Sequence, residues 1–357
     1  MARIRLFAGL LSLAAFGAIA PATAQTVTLV YANGYARTHI QVGVVADEWI
    51  KRIDAATNGR VKIRHVPGGT LLKPENMVEG IRGGVADIGS TVVSFFPGQL
   101  PISATLAGTV DINYGNKLDL KGVTAITQRL TEEFQPLRDE YTKLGLQPIY
   151  YVPTPAYAII SNKPIEKLDD FKGIKTRAFG TAIPHLLNAA GAVPVALAFG
   201  EIYTSLQTGV IDAALTDPPA MITGRFGEVS KNVITTGPKD GAITVLAPVV
   251  YFFNETSWKK ISSADQEIIR KISAEMIPFG ADKMIEAQKA AFDDLAKVKV
   301  TIRHLSDADT AELAKRSPDF LKMAADSINE KGLPGTALIE RYKALADDYI
   351  SGKWRPF

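Results

Sequence analysis

The sequence predicts an α/β protein with parallel sheets, folded as two domains. Three observations predict it. From residue 26 to residue 93, short β-branched runs alternate with stretches of helical periodicity in the order strand, helix, strand, helix, strand. The 357 residues exceed what one hydrophobic core usually serves. Finally, Pro153-Thr154-Pro155 stiffens the chain between two apolar runs, and a second apolar run from Ile243 to Phe253 offers a return crossing.

Taken in order, Thr26 to Tyr31 alternates as a buried first strand and stops at Ala32-Asn33-Gly34. Ile40, Val44, Trp49, Ile53 and Ala56 recur at helical spacing from His39 to Thr57, and Asn58-Gly59 ends that helix. Val61 to Val66 is a strand, Pro74 opens a helix that Gly83-Gly84 closes, and Ala86 to Val93 is the third strand. Ligands in such sheets sit beyond the C-terminal strand ends, which here offer Asn33, Thr70 and the Ser90-Thr91 region. One helical stretch is expected from Leu118 to Leu144, then a strand from Pro148 to Val152. Past the proline pair, extended segments are expected at Tyr157 to Ser161, Val193 to Leu197, Ile211 to Thr216 and Val233 to Thr236. Ser263 with Gln266 reads as a capping box for a helix reaching Val298, which Pro278 and Gly280 bend without ending. A strand at Val298 to Ile302, a helix capped by Ser306 with Asp309, and a last helix from Ala337 to Ile350 complete the chain.

Arg3 and Arg5 precede an apolar run from Leu6 to about Ala20, and Ala22-Thr23-Ala24 has the small-x-small form of a cleavage site. Residues 1–24 therefore read as a secretory signal peptide, and no later stretch is apolar enough to span a bilayer. The formal net charge of +3 falls by the two leader arginines, and no basic cluster marks a nucleic-acid surface. Cysteine is absent, which excludes thiol catalysis and Cys-ligated metals. The four histidines, His39, His65, His185 and His304, show no HExxH spacing, and neither a GxSxG elbow nor a GxxxxGK[ST] loop occurs. Asp87 and Asp212 are the one imaginable acid–base pair, although Asp in such strand contexts more often anchors a loop.

The chemically pointed stretch is Gly173-Ile174-Lys175-Thr176-Arg177-Ala178-Phe179-Gly180. Arg177 ends a strand, Gly180 turns the chain, and Thr181 is placed to cap a helix running to about Gly191. A guanidinium fork and a helix N-terminus facing one small volume favour an anion, specifically a carboxylate. By residue type alone, Arg177 could equally pair with a surface Asp or Glu.

Four segments carry a family resemblance: Thr57 to Val61, Ile81-Arg82-Gly83-Gly84-Val85-Ala86-Asp87-Ile88, Phe171 to Arg177, and Phe199-Gly200-Glu201-Ile202-Tyr203-Thr204-Ser205-Leu206-Gln207-Thr208-Gly209-Val210-Ile211-Asp212. Together they resemble the DctP-type solute-binding proteins of TRAP transporters over nearly the whole chain after the leader. The resemblance implies a two-lobed periplasmic binding protein fold with two hinge strands and a long kinked helix bridging the lobes. Lobe I would be 25–154 plus 243–280, and lobe II 155–242 plus 281–357. It implies that Arg177 clamps a ligand carboxylate, that Phe199 packs over the ligand, and that Asn33 and Thr216 are polar contacts. Tyr157 stands where many members carry a second basic residue, and Asp212 to Asp217 replaces the commoner Asp-Gly-Gln-Glu-Asn-Pro. Ala247, Pro248 and Val249 stand where some relatives place polar contacts. Thr91, Phe179 and Asp217 complete the expected site, while Phe95 and Phe179 could also be core residues.

The expected function is a non-enzymatic periplasmic receptor for an organic acid, a monocarboxylate with an apolar or aromatic body being favoured. Its partner would be a membrane permease, with no cofactor, metal or nucleic acid involved. The alternatives are the receptor of an ABC-type importer or an exported two-domain enzyme acting on a small organic acid.

Overall fold

The computed structural model describes residues 26–109, 117–235 and 248–357; residues 1–24, expected as a leader, and Ala247 lie outside the described residues. Eleven strands are described: β1 (Val27–Asn33), β2 (Val61–Val66), β3 (Ile88–Val92), β4 (Leu146–Val152), β5 (Ala158–Ser161), β6 (Lys175–Ala178), β7 (Val193–Ala196), β8 (Ala213–Thr216), β9 (Asn232–Thr235), β10 (Val249–Asn254) and β11 (Thr301–His304). They form two sheets, β2-β1-β3-β10-β4 and β11-β9-β5-β8-β6-β7, one for each lobe. Strands β1, β2 and β3 run parallel, and β10 enters antiparallel between β3 and β4. Strands β6, β7 and β8 are likewise parallel, with β5 antiparallel to β8. The chain crosses at 153–157, between β4 and β5, and returns between β9 and β10.

The first sheet packs an aromatic layer against helix Asp47–Ala56. Trp49 is buried there among Tyr31, Tyr150, Tyr251 and Phe253, and its indole N–H donates to Ser273 Oγ at 2.9 Å. The second sheet has separate cores on its two faces, one around Phe171, Leu186, Leu187 and Leu215, the other around Leu206, Phe226 and Leu295. Residues 320–350, a stretch expected with the second lobe, form helices Phe320–Asn329 and Gly335–Ile350, which bury Leu321, Ile328, Leu338 and Tyr342 against Ile102, Leu106, Val123 and Ile126 of the first. Phe320 and Met323 reach the second-lobe core.

Some local expectations shift for physical reasons. The stretch from Leu118 divides into helices Leu120–Glu133 and Gln135–Lys143 at Phe134, because Pro136 cannot continue the hydrogen-bond ladder and instead opens the second helix. The start of the helix expected from His39 is π-wound over Gln41–Ala46. Helices Pro101–Ala107 and Phe320–Asn329 were not expected.

Helix Ser263–Lys297 runs 35 residues and continues through Pro278. Its cap is Ser262 rather than Ser263: Ser262 keeps an extended backbone, and its hydroxyl accepts from the Asp265 N–H at 3.1 Å. Arg60 grips Asp265 through Nη2 at 2.7 Å and holds that carboxyl below its usual range. Gln266 donates to the Trp258 and Ile261 carbonyls instead of closing a capping box. The helix packs on β4 and on helices Asp47–Ala56 and Leu120–Glu133 at one end, and on helix Pro218–Thr223 and β11 at the other. Where it passes the crossing, a Cβ on Gly280 would stand 3.0 Å from Val152 Cγ1 and 3.6 Å from Val45 Cγ1.

Gly280→Val should therefore cost about 1–3 kcal/mol by overpacking, whereas Gly280→Ala should come near neutral because helix propensity returns about 1 kcal/mol. Urea unfolding of the two variants checks this, and equal stability of both with the parent would contradict the close packing at this point.

Candidate functional site

Arg177 lies on β6, flanked in the second sheet by β8 and β7. Its Nε donates to the Leu197 carbonyl at 3.1 Å and its Nη1 to the Leu215 carbonyl at 3.0 Å, so backbone from both neighbouring strands aims the fork. The side chain is only 9% exposed, and its guanidinium carbon stands 4.5 Å from the centre of the Phe179 ring, a cation–π distance. Among the described residues it makes no ion pair. Burial lowers its pKa, and the negative ends of Tyr157 and Asp217 oppose that shift. An arginine stays protonated through such shifts, so the sheet holds a positive charge with no counterion in contact.

The walls around this charge are aromatic. The Tyr157 ring tilts at 45° to Phe179 with centres 5.4 Å apart, and burial raises the Tyr157 hydroxyl's pKa well above the ordinary phenol value. Phe179 is half-buried against the second-lobe core while facing Arg177, so it serves both as core and as site. Phe199 follows Leu197 in the turn Phe199–Glu201, 46% exposed, with its ring centre 5.8 Å from that of Phe226. Its ring packs toward Phe226, while the ring over the guanidinium is that of Phe179. Phe95 is also exposed, in the turn after β3, and belongs to no core.

Thr216 ends β8 and is buried opposite Ala158. The next residue, Asp217, caps helix Pro218–Thr223, its Oδ1 accepting from the Ala220 N–H at 2.9 Å. Burial pushes the Asp217 carboxyl up to about 6, against the pull of the Ala220 N–H, its own N–H and the Arg177 charge. Gly180 turns at φ +63°, a left-handed angle that suits glycine, and helix Ala182–Ala189 follows. The expected Thr181 cap does not form: its backbone is already helical and its hydroxyl makes no capping bond.

The first lobe contributes differently from expectation. The Asn33 amide gives both N–H bonds inward, to Tyr31 Oη and Ser90 Oγ, each at 2.9 Å, and its oxygen accepts from the Tyr35 N–H. The Thr91 hydroxyl donates to the Pro74 carbonyl at 3.2 Å. Both are buried parts of the lobe wall, with their donors in use inside it. The residue that approaches the second lobe is Tyr35, two past Asn33. Its pKa rises to about 12 through burial and through the negative charges of Asp217 and Glu75. His39 stacks on it at 5.2 Å, and burial lowers the His39 pKa. An aromatic two residues beyond the first strand's end was the available signal for Tyr35. The lobes also meet at Val92, which packs on both cores, and where Gly108 approaches the Thr181 hydroxyl.

The carboxylates imagined as a catalytic pair are anchors. Asp87 Oδ2 accepts from the Val30 N–H at 2.7 Å, and Asp212 Oδ2 from the Lys175 N–H at 3.0 Å, with Lys163 also on Asp212 at 2.9 Å. Each precedes its strand, at the sheet end away from Arg177. Pro248 and Val93 line a small cavity inside the first lobe, together with Thr131 and Tyr151, and Val249 is buried in β10. Among the described residues there is no cluster of three or more His, Asp or Glu able to hold a metal, and no helix long and apolar enough to cross a membrane.

Residues 32–326 match the family model DctP, bacterial extracellular solute-binding protein, family 7. A solute-binding protein of Albidiferax ferrireducens is 26% identical over 285 residues, covering 78% of this chain and 79% of the relative. Among solved structures, a TRAP periplasmic solute-binding protein from Desulfovibrio salexigens superposes with a TM-score of 0.78 at 22% identity, covering 92% of this chain and 98% of its own. A marine metagenome TRAP solute-binding protein, described as specific for aromatic acids and co-crystallised with 3-hydroxybenzoate, gives a TM-score of 0.77 at 21% identity, covering 91% and 99%. With a two-lobed fold and a family match across most of its length, the chain belongs to the DctP family of TRAP-transporter solute-binding proteins, a family of periplasmic binding proteins.

Proposed function

We propose that the protein captures an organic acid anion between its lobes, with Arg177 taking the carboxylate, and delivers it to the membrane subunits of a TRAP transporter. The observation that carries this reading is the buried guanidinium fixed by two backbone carbonyls and without an acidic partner among the described residues. Two of its five N–H donors go to those carbonyls, which leaves donors for an incoming anion. Lobe closure would exclude water, and the lower effective dielectric would strengthen the ion pair. Tyr157, Phe179 and Phe199 supply an apolar lining, which favours a monocarboxylate with an apolar or aromatic body. The aromatic acid in the marine relative is consistent with that lining. Thr216 and Asp217 add polar groups beside Arg177, Tyr35 adds one from the other lobe, and Asn33 and Thr91 support the first-lobe wall. The lobes we assign are 26–109 and 117–154 with 248–280 and 320–350, and 155–235 with 281–319.

Arg177→Ala should weaken binding of the carried acid by about 3 kcal/mol or more, roughly 100-fold, and Arg177→Lys should also bind poorly because an ammonium cannot reproduce the fork. Titration calorimetry decides this, since unchanged affinity in Arg177→Ala would remove the clamp from the mechanism.

A second expectation concerns pH. Because folding raises the Asp217 pKa from 3.8 to about 6, the folded state binds a proton more readily than the unfolded state between those values. This group therefore adds stability as pH falls from 7 toward 4, while Asp265 and Asp212, whose pKa values are lowered, act in the opposite sense in every variant. Asp217→Asn keeps the cap and removes the titration. The melting temperature of the unliganded parent minus that of Asp217→Asn should rise from pH 7.5 to pH 5, and a flat difference would show no shifted group.

A further inference from the structure

We propose that Asp217 selects the class of acid: the site takes a carboxylate that also carries a hydroxyl or N–H donor, and it rejects a second carboxylate. This rests on the proposed role of Arg177 and narrows it.

The two charges are neighbours without being partners. The Leu215 carbonyl that orients Arg177 lies two residues before Asp217, yet among the described residues neither Arg177 nor any lysine pairs with that carboxylate. The Ala220 N–H and its own N–H engage it, and a carboxylate offers about four acceptor directions. Capping does not require the charge, because a neutral Asn or Ser caps a helix comparably. The carboxylate is half-buried, and its leftover acceptor capacity is open to a donor that a ligand brings. The groups that feel its charge come from both lobes: Tyr35 from the loop after β1, and Tyr157 and Arg177 from the second lobe. The carboxylate stands just past the C-terminal end of β8, the strand whose Leu215 carbonyl holds the Arg177 fork, with charged or phenolic groups of both lobes in its reach. A ligand held between the lobes meets a positive site for its carboxylate and an acceptor for a donor elsewhere on its body. A second carboxylate placed at Asp217 would meet a like charge where little water screens it.

The test is titration calorimetry at pH 7.5, where Asp217 is mostly ionised, with two matched series: benzoate, 3-hydroxybenzoate and isophthalate, and butyrate, 4-hydroxybutyrate and succinate. In at least one series the parent should bind the hydroxy acid about tenfold more tightly than the unsubstituted acid, and the dicarboxylate about tenfold more weakly. Asp217→Asn should bring the hydroxy preference within about threefold and improve the dicarboxylate about tenfold relative to the unsubstituted acid. Asp217→Ser, which also caps, should show the same loss of hydroxy preference and guards against a folding defect peculiar to one variant. Ratios in the variants within about threefold of the parent's, a parent that binds the dicarboxylate best, or a parent that binds none of the six would each overturn the inference. Arg177→Ala separates it from the reading beneath: if that variant loses every acid while the Asp217 ratios do not move, only the Asp217 role falls. If Arg177→Ala keeps its affinity, the carboxylate clamp falls instead.

Discussion

The structure turns on one arginine held by backbone. A guanidinium in a sheet edge would be solvated, and one deep in a core would need an acid beside it. Arg177 is in neither position. Because β6 lies between β8 and β7, carbonyls at the ends of both neighbours reach the fork and partly replace water, while Phe179 covers its face. Carbonyl dipoles orient the cation but do not neutralise it. Among the described residues no acid compensates the charge, and the second-lobe core packs against the strand that carries it.

Each lobe places its anchoring carboxylates and its candidate site residues at opposite ends of its strands. Asp87 and Asp212 sit just before their strands and bind the backbone of the neighbouring one, which locks the sheets at the ends away from the cleft. Tyr35, Arg177, Thr216 and Asp217 cluster at the opposite ends or just beyond them. In parallel sheets loops converge on that side, so variation in loop residues changes the ligand without disturbing the strand register.

How much was legible in the sequence depended on whether the signal was local. Trp49 and Ile53 at helical spacing, and the apolar run from Ile211 to Thr216, marked elements that form where expected. The α/β order of the first 93 residues and the position of Arg177 at a strand end were also readable. The orientation of a polar side chain was not. Asn33 lies at a cleft-facing strand end, yet Tyr31 and Ser90 offer its amide two partners within the lobe, and that competition is invisible in one dimension. Thr181 looked like a cap, but its own φ/ψ is helical, which only the turn at Gly180 determines. The helices after residue 320 carry an apolar stripe whose destination, the first-lobe helices, depends on long-range contact.

Strand order also has a consequence for assembly. In the first sheet β10 separates β3 from β4, although about a hundred residues, including five strands of the other sheet, are made between β4 and β10. Until that segment emerges, β3 and β4 each present an unpaired edge, and the sheet cannot knit by nearest neighbours in time. The second sheet gains five of its six strands earlier. The first sheet thus stays divided until β10 is made, and its gap is an exposed ledge where a growing chain is vulnerable to mispairing.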